Sequence, residues 1–393
     1  MRLLLLVLFT GFFNFNSIKA QVVNEYIDLQ SHPTMHMLFN FFGEGLQYFE
    51  EGNEPNLTYK HQLKNVNYAN YLKDNKGARI VVFGSLTKDG VKAEKAKAVI
   101  LEQIDFINAF IERNPADFAL AKSPQQVRHL VHNTDKTIII HSIEGANHLV
   151  NNQADANFWA EQGVAFFTLI HLVDNELGAS AIRPGLGIAL INFKGAIRKK
   201  EKRGGLTEKG KQVILWLANA GIMTDITHMA EQTRIDALAF MEENGIPPIS
   251  THDAYKPIQN SPRGISPEQV LSIYKNKGFV SLPLSGLSLK AYKSEQWVLD
   301  RLNSLDNYCD GSIDSYKFTY QLLKEQIESN FMKIDGSLAD YQNFNELSEA
   351  QKVWFSIGFQ SDFNGWVSHS RPRYGKDGCY PLNDLKTNYE LET

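Results

Sequence analysis

The sequence predicts a parallel α/β fold, and three observations indicate it. Short apolar segments typical of buried strands alternate with amphipathic segments typical of helices. Side chains that can bind metals or move protons stand where several of these strands end. Residues 205–252 combine both features, with a helix, a strand ending at His228, a second helix and a strand ending at His252. In a parallel barrel the chemistry lies at the carboxyl ends of the strands, so we expect the two imidazoles to converge on one pocket.

In the amino-terminal half, the apolar pattern predicts four strands and two helices. The strand segments are short and apolar, whereas the helix segments place apolar side chains on one face. In chain order they are a strand in EYIDLQ ending around Leu29, a strand at ARIVVFGSL, a helix over residues 92–113, a strand in TIIIHSIEG ending at Glu144, a helix around residues 155–162 and a strand in VAFFTLIH ending at His171. Residues 38–78 show no clear periodicity.

In the carboxyl-terminal half, a helix in GLTEKGKQVILWLANAG has Thr207 as its candidate N-cap and Gly221 where a helix would stop. IMTDITH and PPISTH are too short for helices and rich in Ile and Thr, which predicts buried strands. The later elements are a short helix, a strand at GFVSLPL, a helix over residues 314–328 and a late strand in VWFSIGFQSDFNGW ending at Asp362.

Length and composition limit the class of protein. A chain of 393 residues with 43% apolar residues can form one large barrel or two smaller domains. The formal net charge of -4 does not indicate nucleic-acid binding, and the one dense basic run, residues 198–203, has no interleaved aromatic residues. The absence of a Gly-rich dinucleotide motif and of a P-loop disfavours nucleotide binding.

The amino terminus has the composition of an export signal. Arg2 precedes the apolar run LLLLVLFTGFF, which is too short to span a bilayer comfortably, and Ala20 offers a small residue for cleavage. We therefore expect residues 1–20 to be a signal peptide and residues 21–393 to form one exported domain, periplasmic or secreted, without an integral membrane segment. Export permits a disulfide, but the sequence leaves open whether Cys309 and Cys379 pair.

Six predicted strands end in a residue that can bind a metal or transfer a proton. These residues are Gln30 with His32, Glu144, His171, His228, His252 and Asp362. A lone buried histidine is more often a hydrogen-bonded core residue, but the same property at six strand ends is hard to attribute to chance. Imidazoles and carboxylates are the ligands that zinc, iron and related divalent metals accept. The pattern therefore predicts a divalent metal site and favours a hydrolase, in which the cation activates water.

Several motifs resemble the membrane dipeptidase family (peptidase family M19) of the amidohydrolase superfamily. The similar segments, which occur in the expected order, are HSIEGA, FFTLIH, GLTEKGKQVILWLANAGIMTDITH, PPISTHDAY and SIGFQSDFNG. The resemblance implies a (β/α)8 TIM-type barrel of the metal-dependent hydrolase kind. It also implies two divalent metals, usually zinc, bridged by a carboxylate, and cleavage of dipeptides or related amides.

The resemblance also implies roles for individual residues. Glu144 resembles the bridging carboxylate, and His228 and His252 resemble the imidazole ligands of the more exposed metal. Asp362 resembles the aspartate that lies near the other metal, holds the attacking water and moves its proton. As an alternative, Asp362 could be an ordinary turn residue in SDFNG.

Two further residues resemble substrate contacts. His171 resembles the histidine that supports the substrate carbonyl and the oxyanion formed from it, although a hydrogen bond to a neighbouring loop would explain it equally well. Arg263 resembles the arginine that holds the substrate's terminal carboxylate, a task that suits its planar fork. The alternative for Arg263 is an exposed loop residue.

The first strand departs from the family pattern. The family places His-x-Asp there, whereas this chain has Gln30 and His32. The inner metal would then depend on His32, Glu144 and Asp362, with the Gln30 oxygen as a weak ligand. We therefore expect one or two ions per chain.

The leading hypothesis is an exported metal-dependent hydrolase that acts on a small dipeptide-like substrate, with a homodimer as a candidate assembly. Gln30 supports a second hypothesis, a catalytically impaired barrel that binds a peptide or an amino-acid derivative. A third is another amidohydrolase reaction, such as lactone or N-acyl amino-acid hydrolysis.

Overall fold

A computed structural model describes residues 26–34, 78–87, 92–145, 148–181, 204–362, 370–374 and 378–381. The predicted signal peptide and most of the aperiodic segment lie outside the described residues. The prediction of one domain over residues 21–393 also extends beyond them and stays a prediction.

The described residues contain strands β1 to β11, most of them short. They are β1 Tyr26–Ser31, β2 Ala78–Leu86, β3 Phe118–Leu120, β4 Thr137–Glu144, β5 Val164–Thr168, β6 Met223–Asp225, β7 Ile249–Ser250, β8 Ala254–Tyr255, β9 Gly264–Ile265, β10 Phe279–Pro283 and β11 Gly358–Gln360.

The helices lie mainly between the strands. They are α1 Ala93–Arg113, α2 Pro124–Asn133, α3 Gln153–Glu161, α4 Glu208–Asn219, α5 Glu231–Glu243, α6 Pro267–Lys275, α7 Gly286–Leu289, α8 Gln296–Asn303, α9 Ile313–Ser329, α10 Phe331–Ile334 and α11 Glu349–Lys352. Among the described helices, none is long and apolar enough to cross a bilayer.

Eight parallel strands close into a barrel. The ring runs β1-β2-β4-β5-β6-β7-β10-β11 and returns to β1, while β3 extends the sheet beside the start of β4. Strands β8 and β9 form a separate parallel pair in the region between β7 and α6. The predicted (β/α)8 fold is confirmed.

The barrel interior is apolar at the amino-terminal side of the strands. Because alternate side chains of a strand point to the same side, one apolar residue or more from each of seven strands joins a single buried cluster. Its strand members are Leu29, Ile80, Val82, Ile138, Ile140, Phe166, Met223, Ile249 and Phe279. The next positions toward the carboxyl ends include Gly84, Ser142, Thr168 and Asp225. The apolar cluster, here called the apolar floor, therefore lies toward the amino ends of the strands, and a polar layer lies between it and their carboxyl ends.

Helix α4 forms where the sequence predicts it. The Thr207 side chain accepts a hydrogen bond from the backbone N–H of Gly210, which satisfies one free donor of the first turn. Gly221 follows the helix with a φ of 80°, a left-handed conformation that glycine adopts without a steric penalty. The helix thus begins and ends at the residues that its sequence signals indicate.

Several predicted strand ends were wrong. Strand β1 continues to Ser31 rather than ending near Leu29. The strands predicted to reach His171, His228 and His252 end earlier, at Thr168, Asp225 and Ser250. In the last segment, Val353–Phe355 is a 3-10 helix, and the strand is limited to Gly358–Gln360. The chemically active residues therefore lie mainly in the loops that follow the strands.

A disulfide joins Cys309 to Cys379, with a Cα–Cα distance of 5.6 Å. Cys309 precedes α9, and Cys379 lies in the carboxyl-terminal segment. The pairing that the sequence left open thus ties this segment to the loop before α9.

Candidate metal centre

Six predicted site residues lie at the carboxyl face of the barrel. Glu144 ends β4, and the other five lie one to three residues beyond their strands. They are His32 after β1, His171 after β5, His228 after β6, His252 after β7 and Asp362 after β11. The closed parallel topology brings these loops to the same edge of the barrel.

Two of these residues have an unusual backbone. His228 has a φ of 68° and Asp362 a φ of 47°, the left-handed region that residues with a side chain seldom adopt. Such conformations cost energy and persist where the surrounding structure holds them, and functional sites are enriched in them.

One Glu144 oxygen faces two imidazoles. Glu144 Oε1 lies 2.9 Å from His228 Nε2 and 3.1 Å from His252 Nε2, and these two nitrogens lie 2.8 Å apart. Donors that share a tetrahedral zinc ion at about 2.0 Å lie roughly 3.3 Å apart, slightly farther than these atoms. Two imidazoles and a carboxylate in this compact triangle therefore fit one divalent ion.

The other Glu144 oxygen faces a second donor group. Glu144 Oε2 lies 3.1 Å from His32 Nε2, and Asp362 Oδ1 lies 3.7 Å from the same nitrogen. His32 Nδ1 lies 2.7 Å from the carbonyl oxygen of Gly84. Without a metal, burial lowers the pKa of His32, but the Glu144 charge outweighs this effect and raises the pKa to about 9. With a metal bound, a proton on Nδ1 would keep the hydrogen bond to Gly84 and leave the Nε2 lone pair to the ion. His32, Glu144 and Asp362 thus form a second candidate ligand set.

Gln30 borders the second set through its amide nitrogen. Gln30 Nε2 lies 3.1 Å from His32 Nε2, while Gln30 Oε1 accepts a hydrogen bond of 3.2 Å from Ser142 Oγ. An amide nitrogen is not a metal ligand, so in this orientation Gln30 does not offer the carbonyl oxygen that was predicted as a weak ligand. The described second set therefore has three protein donors.

The charges in the centre suit a cation. Burial raises the pKa of the Glu144 carboxyl, but the charges of His171 and His32 outweigh it and hold the pKa well below its ordinary value. Burial lowers the pKa of His228 well below its ordinary value, and the Arg263 charge adds to this effect. An ionised carboxylate and a neutral imidazole are the forms that bind a metal ion.

Asp225 and Thr251, which were not among the predicted site residues, form a hydrogen-bond network that supports the centre. Asp225 Oδ2 accepts hydrogen bonds of 2.9 Å from Thr168 Oγ1 and 2.6 Å from Thr251 Oγ1. Thr251 Oγ1 also lies 2.8 Å from His252 Nδ1. The only sequence signal is a carboxylate in TDITH and a threonine in STH, both in otherwise buried segments.

His171 and Arg263 lie beside the ligand sets. His171 Nε2 is 3.9 Å from Glu144 Oε2, and its ring contacts that of His228 with centroids 4.8 Å apart. Arg263 Nη2 lies 3.1 Å from His228 Nε2, so Arg263 is not a remote loop residue. His171 with Glu144 and His228 also forms a group of donors within 4.8 Å of one another. All seven predicted site residues other than Gln30 therefore offer polar atoms to one centre.

Comparisons with known proteins show the family and the fold. Residues 20–365 match the family model of membrane dipeptidases, peptidase family M19. Dipeptidase verJ of Clonostachys rogersoniana is 26% identical over 180 residues, which is 46% of this chain and 41% of that protein. The chain thus matches less than half the length of this curated relative.

Solved structures share the fold at low sequence identity. A metallo peptidase from Rhodobacter sphaeroides, liganded with a phosphinate mimic of the dipeptide L-Ala-D-Ala, is 14% identical with a TM-score of 0.59, covering 93% of this chain and 92% of that chain. The dipeptidase AC, a metallo peptidase of family M19, is also 14% identical with a TM-score of 0.59, covering 89% and 86%. An amidohydrolase from Pseudomonas aeruginosa is 16% identical with a TM-score of 0.52, covering 92% and 86%.

Proposed function

The chain belongs to the membrane dipeptidase family (peptidase family M19), and from this premise we propose that it is a metal-dependent hydrolase that cleaves a dipeptide or a related small amide. The observation that carries the proposal is the position of Glu144. One buried carboxylate presents each of its oxygens to a different group of imidazoles, His228 with His252 on one side and His32 on the other.

Zinc is the proposed ion because imidazole and carboxylate donors suit it. His228, His252 and Glu144 Oε1 would hold one ion tightly. His32, Glu144 Oε2 and Asp362 would hold a second more weakly, because Gln30 stands where the family has a histidine ligand and turns its amide nitrogen toward His32. When bound, the metal supplies a low-pKa water and polarises the substrate carbonyl.

The surrounding side chains carry the remaining steps. The Asp362 carboxylate accepts a proton from the attacking water and transfers it to the nitrogen of the leaving amine. His171 donates a hydrogen bond to the oxygen that becomes negative in the transition state. Arg263 pairs with the terminal carboxylate of the substrate, for which its planar fork provides two parallel donors.

The proposed substrate is therefore a small dipeptide-like molecule, and the proposal includes neither nucleic-acid binding nor an integral membrane segment in the mature chain. Export to the periplasm or out of the cell belongs to the proposal, because residues 1–20 have the composition of a signal peptide.

A homodimer is the assembly proposed for the mature chain, and light scattering after gel filtration measures its molar mass.

A dipeptide panel tests the proposed activity. The zinc-loaded protein is expected to release amino acids from at least one dipeptide, and a chelator is expected to abolish the release until zinc is restored. His252→Ala, which removes one imidazole of the tighter set, is the matched loss-of-site control. A protein that retains zinc but cleaves no member of the panel would exclude dipeptide hydrolysis.

The second candidate function, an impaired barrel that binds a peptide or an amino-acid derivative, is favoured by the Gln30 amide nitrogen beside His32. Gln30→His separates the two candidates. If the wild type is inert and the variant gains both an ion and peptide cleavage, the impaired barrel is correct. If the wild type already cleaves, it is excluded.

A further inference from the structure

Arg234, on α5, is fully buried, and its guanidinium makes several polar contacts. Its Nη1 donates hydrogen bonds of 2.8 Å to the Gly264 carbonyl and 3.2 Å to Gln269 Oε1. Its Nη2 donates a hydrogen bond of 3.0 Å to the Met229 carbonyl and lies 3.7 Å from Asp253 Oδ2. One guanidinium therefore contacts residues that lie as many as 35 positions away from it in the sequence.

Three of these contacts share one property, which is that each partner directly follows a candidate site residue. Met229 follows His228, Asp253 follows His252, and Gly264 follows Arg263. The three partners belong to the loop after β6, the loop after β7 and the start of β9. Arg234 thus contacts the residues that directly follow two candidate metal ligands and the candidate carboxylate-binding arginine, two of them through backbone carbonyls and Asp253 through its carboxylate.

The physical properties of the side chain make this connection rigid. A buried cation is costly unless hydrogen bonds and a counter-charge compensate it. Movement of any one of these loops away from Arg234 would therefore leave part of the buried guanidinium uncompensated. The guanidinium is planar with donors in fixed directions, and it therefore sets the relative positions of the groups that it binds. The Met229 carbonyl is one peptide away from the left-handed backbone of His228.

We propose that Arg234 is a positioning residue, which holds His228 and His252 at the spacing needed for one metal ion and holds Arg263 beside them. Its effect on catalysis rests on the proposed function. Its effect on metal binding does not, because zinc affinity is measured without a substrate.

Arg234→Lys is the test variant, since it keeps the positive charge opposite Asp253 but removes the planar guanidinium with its fixed donor directions. The structure offers a matched control in Arg79, which is also buried and also binds backbone carbonyls. Arg79 donates hydrogen bonds of 2.7 Å to Lys136 and 2.7 Å to Val131, and it also donates to Thr134. It lies at the start of β2, the end of the barrel opposite the centre.

Zinc affinity is measured for both variants by competition with a chelator. Arg234→Lys is expected to bind zinc about tenfold more weakly than wild type, the effect of disturbing groups that orient metal ligands. Arg79→Lys is expected to lose stability in urea but keep the wild-type zinc affinity. If Arg234→Lys also keeps the wild-type affinity, or if both variants lose it equally, Arg234 is a structural residue only and the inference is wrong.

A milder variant keeps the test decisive if Arg234→Lys does not fold. Asp253→Asn keeps the shape of the partner that follows His252 but removes its charge, so the guanidinium loses its ion pair and keeps its contacts with Gly264, Met229 and Gln269. A smaller but measurable loss of zinc affinity is expected, and an unchanged affinity would contradict the inference.

A kinetic measurement checks the Arg263 part of the inference. At saturating zinc and with a dipeptide that wild type cleaves, Arg234→Lys is expected to raise KM by a larger factor than it lowers kcat, because Arg263 is displaced. An unchanged KM would contradict this part. If wild type cleaves no dipeptide, the proposed function fails while the zinc measurement still decides the positioning role.

Discussion

Thr251 determines which nitrogen of His252 faces the metal centre. The Thr251 hydroxyl donates its proton to Asp225 Oδ2 at 2.6 Å, so its oxygen is left to accept a hydrogen bond from His252 Nδ1 at 2.8 Å. A proton on Nδ1 leaves the Nε2 lone pair pointing at Glu144 and His228. Hydrogen bonds of this type fix the tautomer and ring orientation of histidine ligands.

Removing the hydroxyl should therefore weaken metal binding. Thr251→Val keeps the shape of the side chain, and we expect zinc affinity to fall about tenfold because His252 loses its acceptor. Competition titration with a chelator measures the change. Thr224→Val is the matched control, because the described residues include no hydrogen-bond partner for the buried Thr224 hydroxyl. Equal affinities for the two variants would contradict the role assigned to Thr251.

The sequence identified the donors of the centre but not the groups that support them. Histidines and carboxylates after apolar strands can be recognised one at a time, because their residue type states their chemistry. The roles of Asp225 and Arg234 depend on partners that the fold brings together, such as Thr251, 26 residues from Asp225, and Gly264, 30 residues from Arg234. Sequence patterns at helix or strand spacing do not contain those contacts.

Secondary-structure elements were predicted best where their apolar pattern is long. Strand β2 matches its predicted segment, and α1 begins within one residue of its predicted start. Helices α2 and α8 were missed because few of their side chains reach the core, Val127 in α2 and Val298 with Leu302 in α8. Strands β6 and β7 were predicted too long because Ile226, Thr227 and Thr251, beyond their ends, are also buried.

The outer helices α8 and α9 are linked by an ion pair with two hydrogen bonds. Arg301 Nη1 lies 2.6 Å from Glu325 Oε2, and Arg301 Nη2 lies 2.7 Å from Glu325 Oε1. The hydrogen bond from Arg301 lowers the pKa of the Glu325 carboxyl to about 2. Both side chains are about 40% exposed, so solvent screens the interaction and limits its contribution to about 0.5 kcal/mol.

Glu325→Gln should therefore destabilise the protein in a pH-dependent way. The folded-state pKa lies below the ordinary value of 4.5, so the pair stabilises fully above pH 4.5 and its contribution is lost as the pH falls toward 2. Urea unfolding of wild type and variant across this range measures the difference in free energy of unfolding. A difference that persists unchanged near pH 2 would contradict the assignment.

At the scale of the whole molecule, the apolar side chains that stabilise the barrel and the side chains of the candidate centre lie in different layers of it. The apolar floor made by residues such as Ile80 and Phe166 supports a polar layer, and the centre stands above it. Local patterns predicted parallel α/β structure but left one barrel or two domains open. Closure of the ring depends on β1 meeting β11, whose paired residues Asp28 and Phe359 are far apart in the chain. The resemblance to a known family supplied what local patterns could not.

The disulfide constrains the unfolded chain by closing a long loop. Cys309 and Cys379 are separated by 70 residues, and a loop of this length is worth about 4 kcal/mol in the chain-entropy account. The segment it ties down also donates from the Arg371 N–H to the Gly311 carbonyl at 2.8 Å. We expect replacement of both cysteines by alanine to lower the free energy of unfolding by about this amount. An unchanged free energy of unfolding, in a variant whose zinc content equals that of wild type, would show that the disulfide contributes nothing to stability.

The most direct test of the metal centre is anomalous diffraction at the zinc edge from crystals of the zinc-loaded protein. We expect a zinc peak in contact with Glu144 Oε1, His228 Nε2 and His252 Nε2, with a weaker peak between His32, Glu144 and Asp362. Zinc bound only elsewhere, with these three residues free of metal, would contradict both the centre and the hydrolase built on it.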